Sequence, residues 1–409
     1  MLHEIHQNEP VIAVAAAADC GQFDIDRSLA ELSRLAETAG AEIRAELVQK
    51  LPSPEAGSYL GLGKLAELRE LCEQVGADTV IVNDELSPNQ LRAMEDATDC
   101  TVIDRTALIL DIFALGAVTA EGKLQVERAQ LEYRLPRLIR SRSLSRLGGG
   151  IGTRGPGESQ LETDRRHIRR RMEMLDRKLR ELSGRRAVTR RSRLGSGIPT
   201  VSLVGYTNVG KSSLLNALTG SDALAENKLF ATLSPTMRRL SVGDLHQIVL
   251  ADTVGFVSRL PHALVEAFHS TLEEICYSDL ILMVADASDP EWPEQLQVTR
   301  AVIDQLGCAD IPTLTVFNKC DCPHAGGLPG LCVSARTGEG LDSLLAAVSH
   351  ELESRIIRVE LLLPYDKLGL AADIRAVGNI QSEVYGEAGV HITAAVDRRH
   401  LAQFEAYVL

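Results

Sequence analysis

The segment Gly205-Tyr-Thr-Asn-Val-Gly210-Lys211-Ser212 constrains this chain more than any other. It follows the β-branched run Pro199-Thr-Val-Ser-Leu-Val204 and precedes Ser213-Leu-Leu-Asn-Ala-Leu218, which reads as a helix. Strand, glycine loop and helix in that order make a phosphate-binding loop. The glycines let the backbone N–H groups of Gly205, Tyr206, Thr207, Asn208, Val209 and Gly210 turn toward phosphate oxygens. Lys211 would reach the β- and γ-phosphates, and the Ser212 hydroxyl would ligate Mg²⁺. A strand-to-helix turn with no ligand is the alternative, and it makes no demand on the rest of the chain.

The rest of the chain meets the demands of a guanine nucleotide. Gln247-Ile-Val-Leu-Ala251 reads as a strand that delivers Asp252, Thr253, Val254 and Gly255. Asp252 is placed to hold Mg²⁺ through water, and the Gly255 N–H to approach the γ-phosphate. Thr313-Leu-Thr-Val-Phe317 delivers Asn318, Lys319, Cys320 and Asp321. The Asp321 carboxylate can accept from guanine N1–H and N2–H₂, a pattern adenine lacks, and leaving it unpaired is costly. Leu331-Cys-Val333 leads to Ser334, Ala335 and Arg336, where the Ala335 N–H would meet guanine O6. Between these motifs, Phe230, Ala231, Thr232, Leu233, Ser234, Pro235 and Thr236 lie where Mg²⁺ needs a second hydroxyl. Spacing does not choose between Thr232 and Thr236.

Two positions bear on catalysis. Ras-type GTPases place a water-orienting glutamine after the Asp-x-x-Gly turn; here the position is Phe256, which either packs into the core or leaves that place to another group. Intrinsic hydrolysis is therefore expected to be slow. Asn208 either tolerates the unusual backbone angles of the loop or marks a bound K⁺ that offsets developing negative charge.

Composition sets the wider frame. With 409 residues, two to four domains are expected. No apolar run approaches the ~20 residues of a membrane helix, and Val11–Ala18 reads as a buried strand. Eight scattered cysteines lack zinc-site spacing, and reduced thiols in a cytoplasmic, monomeric protein are expected. The net charge of −13 hides an asymmetry: Arg134–Arg193 holds 19 basic and 6 acidic residues, so that stretch is +13 and the remainder −26. A basic arm on an acidic body suits a phosphate-backbone partner; a solvated charged helix is the plainer reading.

The expected fold class is α/β: a P-loop GTPase domain preceded by a small α/β domain with a long helical hairpin and followed by a small α+β module. Residues 1–118 alternate strands (Val11–Ala17, Glu42–Gln49, Thr79–Val82, Thr101–Ile103) with helices (Ser28–Thr38, Leu65–Val75, Pro88–Ala97), which predicts a parallel sheet. Tyr59-Leu-Gly61-Leu-Gly63-Lys64 reads as a loop-to-helix junction. Residues 119–184 read as a basic antiparallel hairpin. Leu124, Leu131, Leu135 and Leu138 form one seam, Leu161 through Leu182 another, Pro136 kinks the first helix, and Ser159 with Glu162 caps the second. The glycine-rich tip, with Arg146, Gly149, Gly150, Arg154, Gly155 and Gly157, suits folded RNA or is a simple connector. Residues 185–197 form a linker, 198–354 the GTPase domain and 355–409 the α+β module. That module is read as strand Ile357–Leu363, helix Lys367–Ala372, strands near Ile374–Ala376, Ile380–Tyr385 and Gly389–Ala395, and helix His400–Tyr407.

The run from Gly149 through Gly-Ile-Gly-Thr-Arg-Gly-Pro-Gly-Glu-Ser-Gln-Leu-Glu-Thr-Asp-Arg to Arg166 closely resembles the hallmark glycine loop and helix start of HflX GTPases. The P-loop, Phe-Ala-Thr-Leu, Asp-Thr-Val-Gly-Phe and Asn-Lys-x-Asp segments resemble that family too, over roughly residues 1 to 354. The resemblance implies a GTPase with Mg²⁺ that binds the large ribosomal subunit and its rRNA through the glycine loop and splits stalled ribosomes under stress. It also implies hydrolysis stimulated by the ribosome and favours Thr232 as the Mg²⁺ ligand. Leu60-Gly-Leu-Gly is a looser version of the family's N-terminal glycine segment, and Ser234 stands where a carboxylate is common. A GTPase of RNA assembly or tRNA modification, and a protein-binding switch whose hairpin is a coiled coil, are the rival readings.

Overall fold

The computed structural model describes residues 10–138, 156–194, 198–220, 230, 236–242, 247–257, 272–323, 326–353, 356–397, 401 and 403–409. The chain packs as two units that meet in sequence between Leu179 and Arg180, with Phe230 grouped in the first.

In the first unit, β1 (Val11–Asp19) is a run of alanine and β-branched residues buried on both faces, as a central parallel strand requires. It is followed by α1 (Ile25–Thr38), β2 (Ala41–Lys50), α2 (Leu62–Val75), β3 (Thr79–Val82), α3 (Pro88–Thr98), β4 (Thr101–Asp104) and α4 (Arg105–Gly116). The strands pair in the order β2-β1-β3-β4, all parallel. Local chemistry fixes the helix starts. Asp24 accepts the Asp26 and Arg27 N–H groups at α1, and Ser87 and Gln90 form a capping box at α3. Gly61 caps α2, so the glycine-rich segment is a loop-to-helix junction, held by a 2.9 Å bond from its N–H to Gln49 Oε1. The expected strands and helices are all present, with ends shifted by three residues or fewer. Helix α4 was not expected. Leu108, Ile109, Leu110, Ile112 and Phe113 are all buried, so it shows no one-sided stripe to read.

The hairpin consists of α5 (Ala120–Arg134), capped by Thr119, and α6 (Pro156–Leu194). Several expectations change here. Helix α6 continues through Leu194, which removes most of the linker assigned to 185–197 and extends the hairpin past 184. Ser159 lies inside α6 and is not its cap, and Gly157 falls in the first turn of that helix, outside the expected tip loop. Pro136 follows the end of α5 and kinks nothing, because Leu135 is already the C-cap. The buried face of α5 is Gly122, Gln125, Val126 and Ala129, and its leucines are only half-buried. On α6 the expected seam holds, with Leu175 fully buried and Ile168, Met172, Leu179 and Leu182 half-buried, and polar bonds also join the helices. Arg171 donates twice to Glu127, at 2.6 and 2.9 Å, Arg128 Nε bonds Asp176 at 2.7 Å, and Arg165 reaches the Leu138 carbonyl at 3.1 Å. From the Glu127–Arg171 and Arg128–Asp176 pairs to Leu138, just past α5, the partner on α6 moves back to Arg165, so the pair is antiparallel. Arg146, Gly149, Gly150, Arg154 and Gly155 lie outside the described residues.

Arg137 fastens the base of this hairpin. Its guanidinium lies 3.5 Å from the Tyr133 ring centroid, donates to the Leu86 carbonyl at 2.8 Å, and meets the fully buried Asp104 at 3.3 Å. Asp104 also caps α4 through the Ala107 N–H and accepts the Leu86 N–H. Burial, reinforced by Asp104, pushes the Tyr133 phenol far above its ordinary range.

In the second unit the elements are β5 (Thr200–Gly205), α7 (Lys211–Thr219), β6 (Thr236–Leu240), β7 (Ile248–Asp252), β8 (Leu280–Asp286), α8 (Trp292–Gln305), β9 (Thr313–Asn318), β10 (Leu331–Cys332) and α9 (Leu341–Glu353). They build a sheet ordered β10-β9-β8-β5-β7-β6, parallel except for edge strand β6. Leu203, Leu214, Leu282, Val316 and Leu344 are fully buried within its core. A separate antiparallel sheet, β11 (Ile356–Leu363), β13 (Gly389–Asp397) and β12 (Gly378–Gly386), packs with α10 (Gly369–Val377) around its own core. The strand expected near Ile374–Ala376 is part of α10, where Ile374 faces that core at 0% exposure. The terminal helix expected from His400 is, among the described residues, 3₁₀ at Leu401 and Gln403 and again at Glu405–Tyr407. Cys276 and Cys308 are joined as a disulfide, which corrects the expectation of reduced thiols throughout. At a sequence separation of 32, no spacing signature announced the pair.

Candidate active site

Three loops that leave the C-terminal ends of β5, β7 and β9 converge. Gly210, with φ +90°, turns the chain into α7; a Cβ there would fall 2.3 Å from Asn318 Nδ2. Lys211, 6% exposed, curls back so that Nζ donates to the carbonyls of Tyr206 (2.7 Å) and Gly205 (3.1 Å). Burial pushes its ammonium down to about 8, partly opposed by Asp252. Asp252 is 1% exposed, and its Oδ2 accepts the Ser212 hydroxyl at 2.6 Å. A buried carboxylate and a hydroxyl side by side form a hard, all-oxygen donor set, which fits Mg²⁺.

Gly255 packs directly under this loop. A Cβ at that position would lie 2.9 Å from both Lys211 Nζ and Thr207 Cα, so only glycine fits. The next residue continues β7 alongside the P-loop: the Phe256 N–H donates to Gly205 and its carbonyl accepts from Thr207 at 2.7 Å. Phe256 is 1% exposed, so it is a core side chain that orients no water. The side chains of Val209 and Val254 are buried too, and Thr253 bonds the Leu203 carbonyl at 2.7 Å. Asn208 has φ +62° and is exposed, the backbone angle that asparagine tolerates.

Asn318 joins two loops. Its Nδ2 donates to the Val209 carbonyl at 2.9 Å and its Oδ1 accepts the Ala335 N–H at 3.0 Å. The Ala335 N–H expected at guanine O6 is thus engaged by Asn318 in this structure. Lys319 lies across the P-loop, bonded to the Asn208 carbonyl at 2.8 Å and to Asp286 Oδ2 at 2.6 Å. Asp321 accepts the Ser334 hydroxyl at 2.6 Å and pairs with Arg336. The Ser334 bond, with Arg336 second, holds the Asp321 carboxyl below its ordinary range. Cys320 turns inward and donates its thiol to the Phe317 carbonyl. Asp286 was missed in the sequence; a carboxylate closing the apolar run Leu280–Ala285 was its available signal.

Phe230 is 4% exposed and packs edge-to-face on Phe113 of α4, ring centroids 4.6 Å apart, which differs from the nucleotide contact expected of it. Ala231, Thr232, Leu233 and Ser234 lie outside the described residues.

The comparisons with known proteins agree with this geometry. Three family models match in succession: "GTP-binding GTPase N-terminal" over residues 26–114, "GTP-binding GTPase Middle Region" over 116–193, and "50S ribosome-binding GTPase" over 200–319. GTPase HflX of Caldanaerobacter subterraneus subsp. tengcongensis is 48% identical over 375 residues, covering 91% of this chain and 88% of the relative. GTPase HflX of Lacrimispora saccharolytica is 45% identical over 403 residues, covering 97% and 95%. GTPase HflX of Escherichia coli is 41% identical over 372 residues, covering 88% and 87%. Among the described residues no helix is long and apolar enough to cross a membrane. With a P-loop and relatives of this closeness, the chain belongs to the HflX family of GTPases, which bind GTP and GDP and hydrolyse GTP.

Proposed function

We propose that this GTPase docks on the large ribosomal subunit in its GTP state, splits stalled ribosomes, and is released by hydrolysis that the ribosome stimulates. The observation that carries this reading is the construction of the hairpin. Helix α6 has 39 residues, about 58 Å of helix. Part of its charge is spent on α5, while Arg166, Arg169, Arg170, Arg177 and Lys178 remain exposed. A stiff row of cations suits a phosphate backbone, and the adjoining glycine-rich segment suits close approach to folded RNA.

In the pocket, Lys211 holds the β- and γ-phosphates and Asp321 accepts guanine N1–H and N2–H₂. The Ala335 N–H exchanges Asn318 for guanine O6. Ser212, Asp252 (through water) and Thr232 would hold Mg²⁺, and the ion would supply positive charge against the phosphoryl group. The Gly255 N–H meets the γ-phosphate, and ordering of the loops around Thr232 and Gly255 is the switch. With Phe256 buried, the attacking water is oriented by a group from outside the Asp-x-x-Gly turn. Asparagine satisfies φ +62° at position 208 with or without a neighbouring K⁺.

The test is deletion of residues 148–157. The shortened chain should bind GTP as the full chain does, yet lose co-sedimentation with large subunits and lose ribosome splitting. Intact splitting would reduce the segment to a connector; co-sedimentation with tRNA or with small-subunit precursors alone would favour the assembly or modification reading.

A further inference from the structure

Beyond its nucleotide chemistry, the GTPase domain brings together two cysteines that neither the site nor the hairpin uses. Cys276 lies in the 3₁₀ turn Glu273–Tyr277 that leads into β8. Cys308 lies in the turn between α8 and β9. Both turns sit at the N-terminal ends of adjacent strands, whereas Gly205, Asp286 and Asn318 end their strands at the opposite edge. A strand of this length places the two edges about 20 Å apart. Each turn is held by its own backbone bonds: Ser278 N–H to the Ile275 carbonyl at 3.0 Å, Cys308 N–H to Ile303 at 3.1 Å, and Ile311 N–H to Cys308 at 3.2 Å. The Cα atoms are 5.1 Å apart, within the ordinary span of a disulfide. Both sulfurs also lie beside one acceptor, the Leu306 carbonyl, at 3.4 and 3.6 Å. That carbonyl would accept a thiol proton from either cysteine in the reduced chain.

We propose that Cys276 and Cys308 form a reversible dithiol–disulfide site, oxidised by a peroxide and reopened by a small dithiol. Their burial assigns the order of events. Cys276 is half-buried, whereas Cys308 is 2% exposed. Peroxide therefore meets Cys276 first. Its thiolate sulfur attacks one peroxide oxygen, the O–O bond breaks, and the departing hydroxide leaves as water, giving a sulfenic acid. The Cys308 sulfur then attacks the Cys276 sulfur, the S–O bond breaks, and a second water leaves with the Cys308 proton. Two thiols lose two electrons, and one peroxide becomes two waters. A dithiol reverses the bond by becoming a disulfide itself. Two other cysteines are poor competitors: burial pushes the Cys72 thiol up to about 12 and Cys320 up to about 11, which keeps them protonated. The closed bond ties the turn before β8 to the turn before β9 and constrains the unfolded chain across 32 residues.

The experiment uses the full chain, fully reduced, then treated with a few equivalents of hydrogen peroxide, blocked with N-ethylmaleimide and mapped by mass spectrometry. The expected result is a Cys276–Cys308 linked peptide that disappears in dithiothreitol under native conditions. Melting should shift upward by about 5–10 °C on oxidation. Cys276→Ser and Cys308→Ala should each abolish that shift while leaving GTP turnover in the reduced state unchanged. Should either variant fold poorly, the linked peptide and the melting shift of the parent chain decide alone. Peroxide that leaves both thiols open to maleimide, a bond that persists in dithiothreitol, or oxidation without a melting shift would each overturn the proposal.

Discussion

Lys211 gives the pocket a pH signature. Its ammonium titrates near 8 in the empty site because burial disfavours the charge. Nucleotide phosphates favour the charged form, so the bound value is higher. The affinity contributed by Lys211 is therefore complete only well below pH 8 and declines as pH rises through that value. GDP titrated calorimetrically at pH 7 and 8.5 should bind about three- to fourfold more weakly at the higher pH; equal affinities would mean that Lys211 does not meet the phosphates. Asp321 is the residue proposed to read the base. Asp321→Asn turns one acceptor into a donor, which matches the extra carbonyl of xanthine. Competition binding should show preference moving from GDP to XDP by on the order of 10²-fold or more, and retained GDP preference would remove Asp321 from the base site. At this scale much was legible, because Gly210, Gly255 and Asp252 each answer a steric or charge requirement that few residue types meet. Asp286 was legible only as a carboxylate closing an apolar run; its bond to Lys319, from the loop after β9, was not. The bond between the Ala335 N–H and Asn318 likewise needed coordinates.

At the scale of elements, the hairpin rests on Arg137. Replacing it by alanine leaves Asp104 buried without its cation and removes the stacking on Tyr133. A loss of about 3–5 kcal/mol is expected for breaking such a pair. Denaturant unfolding should show it as a lower midpoint for the N-terminal unit, with the GTPase unit unchanged; an unaltered midpoint would contradict the account of the hairpin base. Elements were legible where periodicity was one-sided, as in α1 and α3, or where a strand ended in a motif, as in β5, β7 and β9. Helix α4 escaped because its apolar residues surround it. The seam was legible on α6, where Leu175 is fully buried; on α5 it misled, because Gln125, Val126 and Ala129 are buried there while the leucines are half-buried, and the Arg128–Asp176 and Arg171–Glu127 pairs leave no apolar period. The linker misled because the arginine-rich stretch to Leu194 is a polar helix, which looks like loop when composition alone is read.

At the scale of the molecule, a chain of net charge −13 contains one stretch, Arg134–Arg193, whose own net charge is +13. A GTPase whose water-positioning place is filled by a buried phenylalanine should turn over slowly alone. In the reading proposed above, the large ribosomal subunit supplies the group that orients the water. The most direct measurement is GTP turnover by the purified chain with and without purified large ribosomal subunits. The account predicts a rise of at least tenfold with large subunits, absent with small subunits and absent when residues 148–157 are deleted. Turnover that is equal with and without large subunits would contradict it.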